Sequence, residues 1–204
     1  MKVVVLGATG GTGQWVVKRL LKAGHQVTVY VRHPEKIKSP SNELTIIEGN
    51  LTDQMHLTET FKGQDAVISC LGSNTTKQSS QLKEMAASVL QSMEQSKVQH
   101  IVYMATAGID DEFTGVFKWF IRLILGHVID DHREAANLYR NSGMVYTIVK
   151  PMQLKDQDLT GKYVTAMNGL PSSKKAISRA NVAEFMVLTL EDDTYRNQSV
   201  ALAE

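Results

Sequence analysis

The chain has 204 residues, 43% of them hydrophobic, a length that suits one domain with a sizeable buried core. Its 22 Lys and Arg residues balance 21 Asp and Glu residues, so no overall charge favours nucleic acid or an anionic membrane surface. The single cysteine, Cys70, excludes an internal disulfide, and the strand predicted after Met1 leaves no room for a signal peptide, so we expect a cytoplasmic protein that binds neither nucleic acid nor membranes.

The first predicted strand leads into a glycine-rich turn. The apolar run Val3 to Leu6 is typical of a strand buried on both faces, and an amphipathic helix follows from Thr12 to Lys22. Backbone N–H groups of such a turn, with the helix N-terminus behind them, can approach a phosphate closely. We predict that the turn binds the pyrophosphate of a dinucleotide through Gly7, Ala8, Thr9, Gly10, Gly11, Thr12 and Gly13. In the alternative interpretation, the glycines only permit a tight strand-to-helix connection.

The end of the second strand, predicted over residues 26–31, is where dinucleotide-binding folds select their cofactor. An acidic residue at this place favours NAD, whereas an arginine accommodates the 2′-phosphate of NADP. Arg32 stands here, and Lys36 adds a charge if a short helix starts after Pro34. We therefore predict NADPH as the cofactor, the alternative being a solvated turn with incidental charges.

Three further strand ends are expected at the same edge of the sheet, where ligands of open α/β sheets bind. After the third strand (residues 44–47), Asn50 and Leu51 are predicted to contact adenine, although Thr52 or Asp53 could simply cap the next helix. The fourth strand (residues 66–71) ends in Gly72 and Ser73, and Gly72 would let a ribose approach the backbone. The fifth strand (residues 101–105) presents Thr106 as the first candidate for the reactive centre.

The next stretch, residues 113–125, contains four of the 13 Phe, Trp and Tyr residues of the chain: Phe113, Phe117, Trp119 and Phe120. Their helical spacing predicts core residues, with a substrate lid or a dimer face as alternatives, so we expect a monomer or a weak homodimer. A separate helix is predicted from Asp130 to Arg140, and its His132 would reach a dinucleotide ribose near the helix start, unless it has a purely structural role.

The last part of the chain completes the fold. A sixth strand (residues 145–149) ends at Pro151, which would turn the following backbone toward the nicotinamide. Residues 151–178 are predicted to form a small substrate-side lobe with a hairpin around residues 163–166. Ser178 would cap a final helix, and residues 199–202 would add a strand. The sequence therefore predicts an α/β protein with one doubly wound parallel sheet, a Rossmann fold.

These motifs resemble the atypical short-chain dehydrogenase/reductases of the NAD(P)H-binding, NmrA-like group, and within it the flavin and biliverdin-IX-beta reductases. The resemblance covers nearly the whole chain, through GATGGTG, VTVYVR, GQDAV, DDHREAANLYRNSGMVYTIVKP and DQDLTGKY. It implies NADPH bound by the glycine turn and by Arg32. It also places a group of residues along the nicotinamide and its ribose: Leu71, Gly72, Thr106, His132, Pro151, Met152 and Gln153.

Three positions depart from the relatives. Asn50 replaces an acid that the group commonly carries, Thr106 replaces a serine while keeping the hydroxyl, and Gln153 replaces a histidine. The loss of that titratable group disfavours tetrapyrrole reduction relative to flavin reduction. Thr106 and Gln153 are thus the candidate catalytic residues.

We also expect this chain to lack the Tyr-x-x-x-Lys pair that protonates a carbonyl in ordinary short-chain dehydrogenases. Without that acid, an NADPH-dependent reductase of flavins, quinones or other flat conjugated acceptors is favoured, because the cofactor supplies the hydride and solvent can supply the proton. Two alternatives stay open. One is a redox-sensing protein that binds NADP(H) without turnover, and the other is a sugar-nucleotide epimerase or dehydratase.

Overall fold

The computed structural model describes residues 1–38, 41–72, 80–173 and 175–204. Strands and helices alternate along most of this part of the chain. Its strands are β1 (Lys2–Leu6), β2 (Gln26–Val31), β3 (Leu44–Glu48), β4 (Ala66–Ser69), β5 (His100–Met104), β6 (Val145–Pro151), β7 (Leu154–Lys155), β8 (Val164–Ala166), β9 (Ile177–Ser178) and β10 (Gln198–Ala203). Its α-helices are α1 (Gly11–Lys22), α2 (Gln54–Phe61), α3 (Gln81–Ser96), α4 (Gly115–Arg140) and α5 (Arg179–Leu188).

One sheet organises the molecule. The strand order is β3-β2-β1-β4-β5-β6-β10-β8, and every neighbouring pair is parallel except β10 with β8. The chain winds outward from β1 in both directions, so β1 and β4 flank the point where the strand order reverses. This arrangement confirms the predicted doubly wound Rossmann fold, and it places the expected ligand cleft beyond the carboxyl ends of these strands.

Both faces of the sheet are covered, which explains the unbroken apolar run of β1. Val3 and Val5 belong to a buried cluster that they share with α1 and α5, while Val4 and Leu6 belong to a second cluster shared with α2, α3 and α4. Successive side chains of a strand point to opposite faces, so a strand between two helical layers needs apolar residues at every position.

Helix α4 differs from the prediction. The sequence suggested two segments, but α4 runs unbroken through 26 residues, so His132 lies well inside the helix rather than near its start. The carboxyl half of α4 packs into the core, whereas Trp119 and Phe120 in its amino half are 61% and 52% exposed. The prediction that these aromatic residues form core is wrong for both side chains. Their spacing correctly predicts a helix, but periodicity does not show whether their side chains are covered.

The region after β6 also differs in part. The hairpin predicted around residues 163–166 does not form, because β8 instead pairs antiparallel with β10 at the edge of the main sheet. Strand β7 pairs with β9 in a separate two-stranded sheet. A substrate-side role for residues 151–178 stays a prediction. Within the described residues, no helix has the length and apolar character needed to cross a bilayer.

Candidate dinucleotide site

A cleft of about 1040 Å³ runs along the carboxyl ends of the central strands. Most of the predicted site residues line it: Gly7, Thr9, Gly10, Gly11, Arg32, Asn50, Leu51, Leu71, Gly72, Thr106, His132, Pro151, Met152 and Gln153. Four others do not: Ala8, Thr12, Gly13 and Lys36. Ser73 lies outside the described residues.

The glycines of the turn have different reasons to be glycine. Gly7 has φ of +74°, and a Cβ there would lie 2.6 Å from the Cys70 carbonyl oxygen. A Cβ on Gly13 would lie 2.1 Å from the carbonyl oxygen of Gly7, so the close approach of α1 to β1 requires glycine. The purely steric interpretation therefore accounts for Gly7 and Gly13. Gly10 and Gly11 line the cleft.

The turn offers a cradle for an anion. Helix α1 begins at Gly11, and Gly10 before it has no side chain to cap the first N–H groups. These N–H groups and the helix dipole favour a phosphate at this place. Ala8 and Thr12 are buried beneath the turn, where they support its shape, and their contact with a cofactor stays a prediction.

The end of β2 carries the two predicted cofactor-selecting cations. Arg32 is exposed and lines the cleft. Pro34 starts a short 3-10 turn ending at Lys36, as its sequence suggested, but Lys36 is exposed outside the cleft wall. Arg32 is therefore better placed for a 2′-phosphate than Lys36.

The predicted adenine end is built on a glycine that the sequence analysis did not single out. A Cβ on Gly49 would lie 2.2 Å from the ring of Tyr30, whose hydroxyl donates to the Asn50 carbonyl oxygen at 3.0 Å. Asn50 Oδ1 accepts a hydrogen bond from the backbone N–H of Thr52 at 3.2 Å. Asp53 caps α2 by accepting from the His56 N–H at 3.1 Å, so the capping interpretation holds beside the ligand one.

At the other end of the cleft, His132 is buried and hydrogen-bonded to Tyr103, with 2.7 Å between Nδ1 and the hydroxyl oxygen. Burial lowers the pKa of His132 to about 4, although the charge of Asp131 acts in the opposite direction. Burial also raises the pKa of the Tyr103 hydroxyl well above its usual value. Both groups are therefore neutral near pH 7. With the phenol as donor to Nδ1, the proton of the imidazole resides on Nε2.

The loop that carries Thr106 is held at many points. The Ala105 and Ala107 N–H groups donate to the carbonyl oxygens of Val149 and Pro151, at 2.8 and 3.0 Å. Lys150 Nζ, whose side chain is 2% exposed, lies 2.7 Å from the Asp110 carboxylate and 2.6 Å from that of Glu112. Burial alone would raise the pKa of Asp110, but the hydrogen bond and charge of Lys150, with Arg140, lower it. Thr106 thus sits on a rigid support.

The chain does contain one Tyr-x-x-x-Lys spacing, so the expectation that it lacks this spacing is wrong. Tyr146 and Lys150 do have this spacing, but both lie on strand β6, where residues four apart are about 13 Å apart along the chain. The ammonium group of Lys150 forms ion pairs with the carboxylates of Asp110 and Glu112. Neither Tyr146 nor Lys150 lines the cleft. Of the six tyrosines, all of them described, only Tyr30 lines it, beside Asn50. The spacing is present, but the pair does not form an acid in this cleft.

Several residues that line the cleft were missed from the sequence. They include Tyr30, Gln81, Glu84, Met85, Ser88, Met104, Val128 and Arg179. Met85 lies in α3 among apolar residues at helical spacing, and such spacing does not distinguish a core face from a cleft wall. Arg179 follows the cap residue Ser178, and nothing in its local sequence indicates a ligand. Cys70 also touches the cleft, but burial raises the pKa of its thiol to about 12, which keeps it an unreactive core residue.

Comparison with known proteins gives the family. A family model described as NAD(P)H-binding matches residues 7–193. Quinone oxidoreductase 2 of Escherichia coli is 22% identical over 72% of this chain and 47% of its own length. A short-chain dehydrogenase/reductase from Veillonella parvula, crystallised with NADP, superposes with a TM-score of 0.83 at 22% identity, covering 100% of this chain and 94% of that one. The anaerobillin reductase ChuY from Escherichia coli has a TM-score of 0.82 at 18% identity, covering 100% and 97%.

The solved structures and the curated relatives match different shares of their own lengths. The solved structures share the fold, while the chain spans about half the length, or less, of several curated relatives that it matches. The family model covers most of the chain, including the glycine turn, the end of β2 and the start of α5. The chain therefore belongs to the NAD(P)H-binding family.

Proposed function

We propose that this protein is an NADPH-dependent reductase that transfers hydride directly to a flat conjugated acceptor such as a flavin or a quinone. The observation that carries the proposal is the cleft itself. It combines a phosphate cradle and Arg32 at one end with Thr106, Gln153 and a neutral His132 at the other, and no tyrosine–lysine acid lies between them.

The residues present fit a dinucleotide. Gly10 and Gly11 line the cleft and carry no side chains, so their backbone can approach a phosphate, and Arg32 supplies a planar, permanent cation for a 2′-phosphate. Bound NADPH supplies the hydride. Pro151, Met152 and Leu71 provide apolar surface in the cleft, which favours contact with a flat, conjugated ring.

The polar groups at this end of the cleft would hold the cofactor and the acceptor in place by hydrogen bonds, without changing their own charge. The Thr106 hydroxyl can donate or accept a hydrogen bond, and the Gln153 amide can do both. Neutral His132 with its proton on Nε2 would donate to a ribose hydroxyl. Reduction of a flavin or quinone needs no fixed acid, because solvent can protonate the reduced ring once the two rings are held together.

The comparisons support this class of reaction. One relative is named a quinone oxidoreductase, one neighbour an anaerobillin reductase, and another neighbour was crystallised with NADP. Gln153 provides no titratable group, which favours flavin or quinone reduction over a reaction that must protonate its substrate.

The experiment is NADPH oxidation by the purified protein, followed at 340 nm, with a panel of flavins and quinones. We expect saturable turnover with at least one acceptor, and slower turnover with NADH. Free flavin and NADPH without protein provide the background. Rates that never exceed this background would overturn the proposal.

The exposed apolar face of α4 favours a second candidate, a redox-sensing protein that signals its NADP(H) state to a partner. Val116, Leu123 and Ile124 are 73%, 70% and 67% exposed. Val116 and Leu123 lie within about 60° of Trp119 around the axis of α4, and Ile124 lies beside Phe120. Exposed apolar patches of this kind mark interaction sites. Tight NADPH binding without turnover, together with a partner that is lost on substitution of Leu123 and Ile124 by serine, would favour this candidate over the reductase.

A further inference from the structure

Arg179, which sequence reasoning missed, lies directly over the glycine turn. It is the first residue of α5, some 170 positions away along the chain, yet a Cβ placed on Gly11 would lie 2.8 Å from Arg179 Cδ and 3.0 Å from its Nε. The stem of an arginine therefore occupies the space above Gly11. The Arg179 side chain is 27% exposed, and the residue lines the cleft.

The position of Arg179 is fixed by the packing of α1 against α5. The Arg19–Glu184 ion pair, at 2.7 Å, joins the two helices farther along. Ser178 caps α5 by accepting from the Asn181 N–H at 3.1 Å, which sets where the helix begins. Because the contact between Gly11 and Arg179 lies at the first residue of each helix, the amino ends of α1 and α5 meet at the cleft.

The present partner of the guanidinium is weakly held. Arg179 Nη1 donates to Asp156 Oδ1 at 2.7 Å, and the Asp156 side chain is 87% exposed. A carboxylate so exposed to water is a weak competitor for the guanidinium. A guanidinium has five N–H donors, and a single carboxylate oxygen engages only one of its nitrogens here.

We propose that Arg179 binds the diphosphate of the dinucleotide, clamping it against the N–H groups of the glycine turn. The inference rests on the dinucleotide binding assumed in the proposed function and assigns a residue to it. Arg32 and Arg179 then bind different phosphate groups of the cofactor. Arg32 recognises the 2′-phosphate, which only NADP(H) has, whereas Arg179 recognises the diphosphate, which every nicotinamide dinucleotide has.

The test measures dissociation constants by calorimetry for NADPH, NADH and adenosine 2′-monophosphate. The last probe carries the 2′-phosphate but no diphosphate. The variants are Arg179→Ala, Arg179→Lys, Arg32→Ala and, as the matched control, Arg19→Ala. The control removes an ion pair between the same two helices without touching the cleft.

We expect Arg179→Ala to weaken NADPH and NADH by the same factor, about 10- to 100-fold, and to leave adenosine 2′-monophosphate unchanged. Arg179→Lys should recover part of the loss, because it keeps the charge without the planar fork. Arg32→Ala should weaken NADPH and adenosine 2′-monophosphate while sparing NADH.

Unchanged dinucleotide affinity in Arg179→Ala, or a loss no larger than that of Arg19→Ala, would overturn the inference. A loss confined to NADPH would also overturn it, since that result would assign Arg179 to the 2′-phosphate. These measurements need no turnover. A wild-type protein that binds dinucleotide but reduces no acceptor would overturn the proposed function and leave the role of Arg179 standing.

Discussion

Replacing Lys150 by methionine tests how the loop that carries Thr106 is held. Lys150 is nearly inaccessible to solvent, and its ammonium group contacts the carboxylates of Asp110 and Glu112. Methionine fills the space of the aliphatic stem but provides no charge. Removing one partner of a buried ion pair typically costs about 3–5 kcal/mol, because a charge is left buried without compensation.

The two carboxylates should not contribute equally to this cost. Asp110 has a 31% exposed side chain and keeps Arg140 at 2.8 Å. The Glu112 side chain is 3% exposed, and among the described residues its carboxylate has, besides Lys150, the N–H of Asp110 at 3.0 Å. Most of the loss should therefore come from Glu112. Adding Glu112→Gln to Lys150→Met should restore about half of it, because a neutral amide is cheaper to bury than an unpaired carboxylate.

The assay is urea unfolding at pH 7, followed by circular dichroism. Lys83→Met is the control, since Lys83 pairs with Glu134 on the surface and both side chains are about half exposed. That substitution should cost under about 1 kcal/mol. A similarly small loss in Lys150→Met, or a double variant no more stable than Lys150→Met, would refute the argument that buried charge holds the loop.

Four further predictions concern the cleft. Arg32→Ala should weaken NADPH relative to NADH about 10- to 100-fold, and an unchanged preference in a binding titration would remove the assignment. Thr106→Val should lower kcat/KM for the acceptor while Thr106→Ser retains it, and equal kinetics in both variants would argue against a role for the hydroxyl. Asp156→Asn should tighten NADH binding, measured by calorimetry, because it removes a negative charge beside an anion site; weaker binding would show that Asp156 positions Arg179 instead. Burial lowers the pKa of His132 to about 4, so the imidazole takes up a proton in the unfolded chain before it does so in the folded protein as the pH falls. The contribution of neutral His132 to the free energy of unfolding is therefore fully present above the ordinary pKa of 6.5 and decreases as the pH falls toward 4. Urea unfolding of His132→Gln should show a shallower decline than the wild type, and identical slopes would contradict the shift.

The layout of the sheet was predictable because the signals are local. A buried parallel strand shows as an unbroken apolar run, and the residues after each strand necessarily reach the same edge. Arg32, Asn50 and Thr106 were found in this way, each within two residues of a strand end and each lining the cleft.

Arg179, Tyr30 and the course of α4 were not predictable by the same means. The contact of Arg179 with Gly11 depends on how α5 packs on α1. The contact of Tyr30 with Gly49 joins β2 to the residue after the neighbouring strand β3. Whether the aromatic face of α4 is covered depends on where the helix leaves the core. Spacing also misleads when the element is ignored: Tyr146 and Lys150 have the spacing of a catalytic pair, but on a strand they lie too far apart to act as one.

The central claim is that hydride passes directly from NADPH to a flat acceptor in this cleft. The most direct measurement is the rate of NADPH oxidation with the best flavin or quinone, using NADPH deuterated at C4 in each of its two epimeric forms. We expect saturable NADPH oxidation that depends on the protein. Its rate should fall for only one of the two deuterated epimers, because the cleft would present a single face of the nicotinamide to the acceptor. Tight NADPH binding with no protein-dependent oxidation of any acceptor would contradict it.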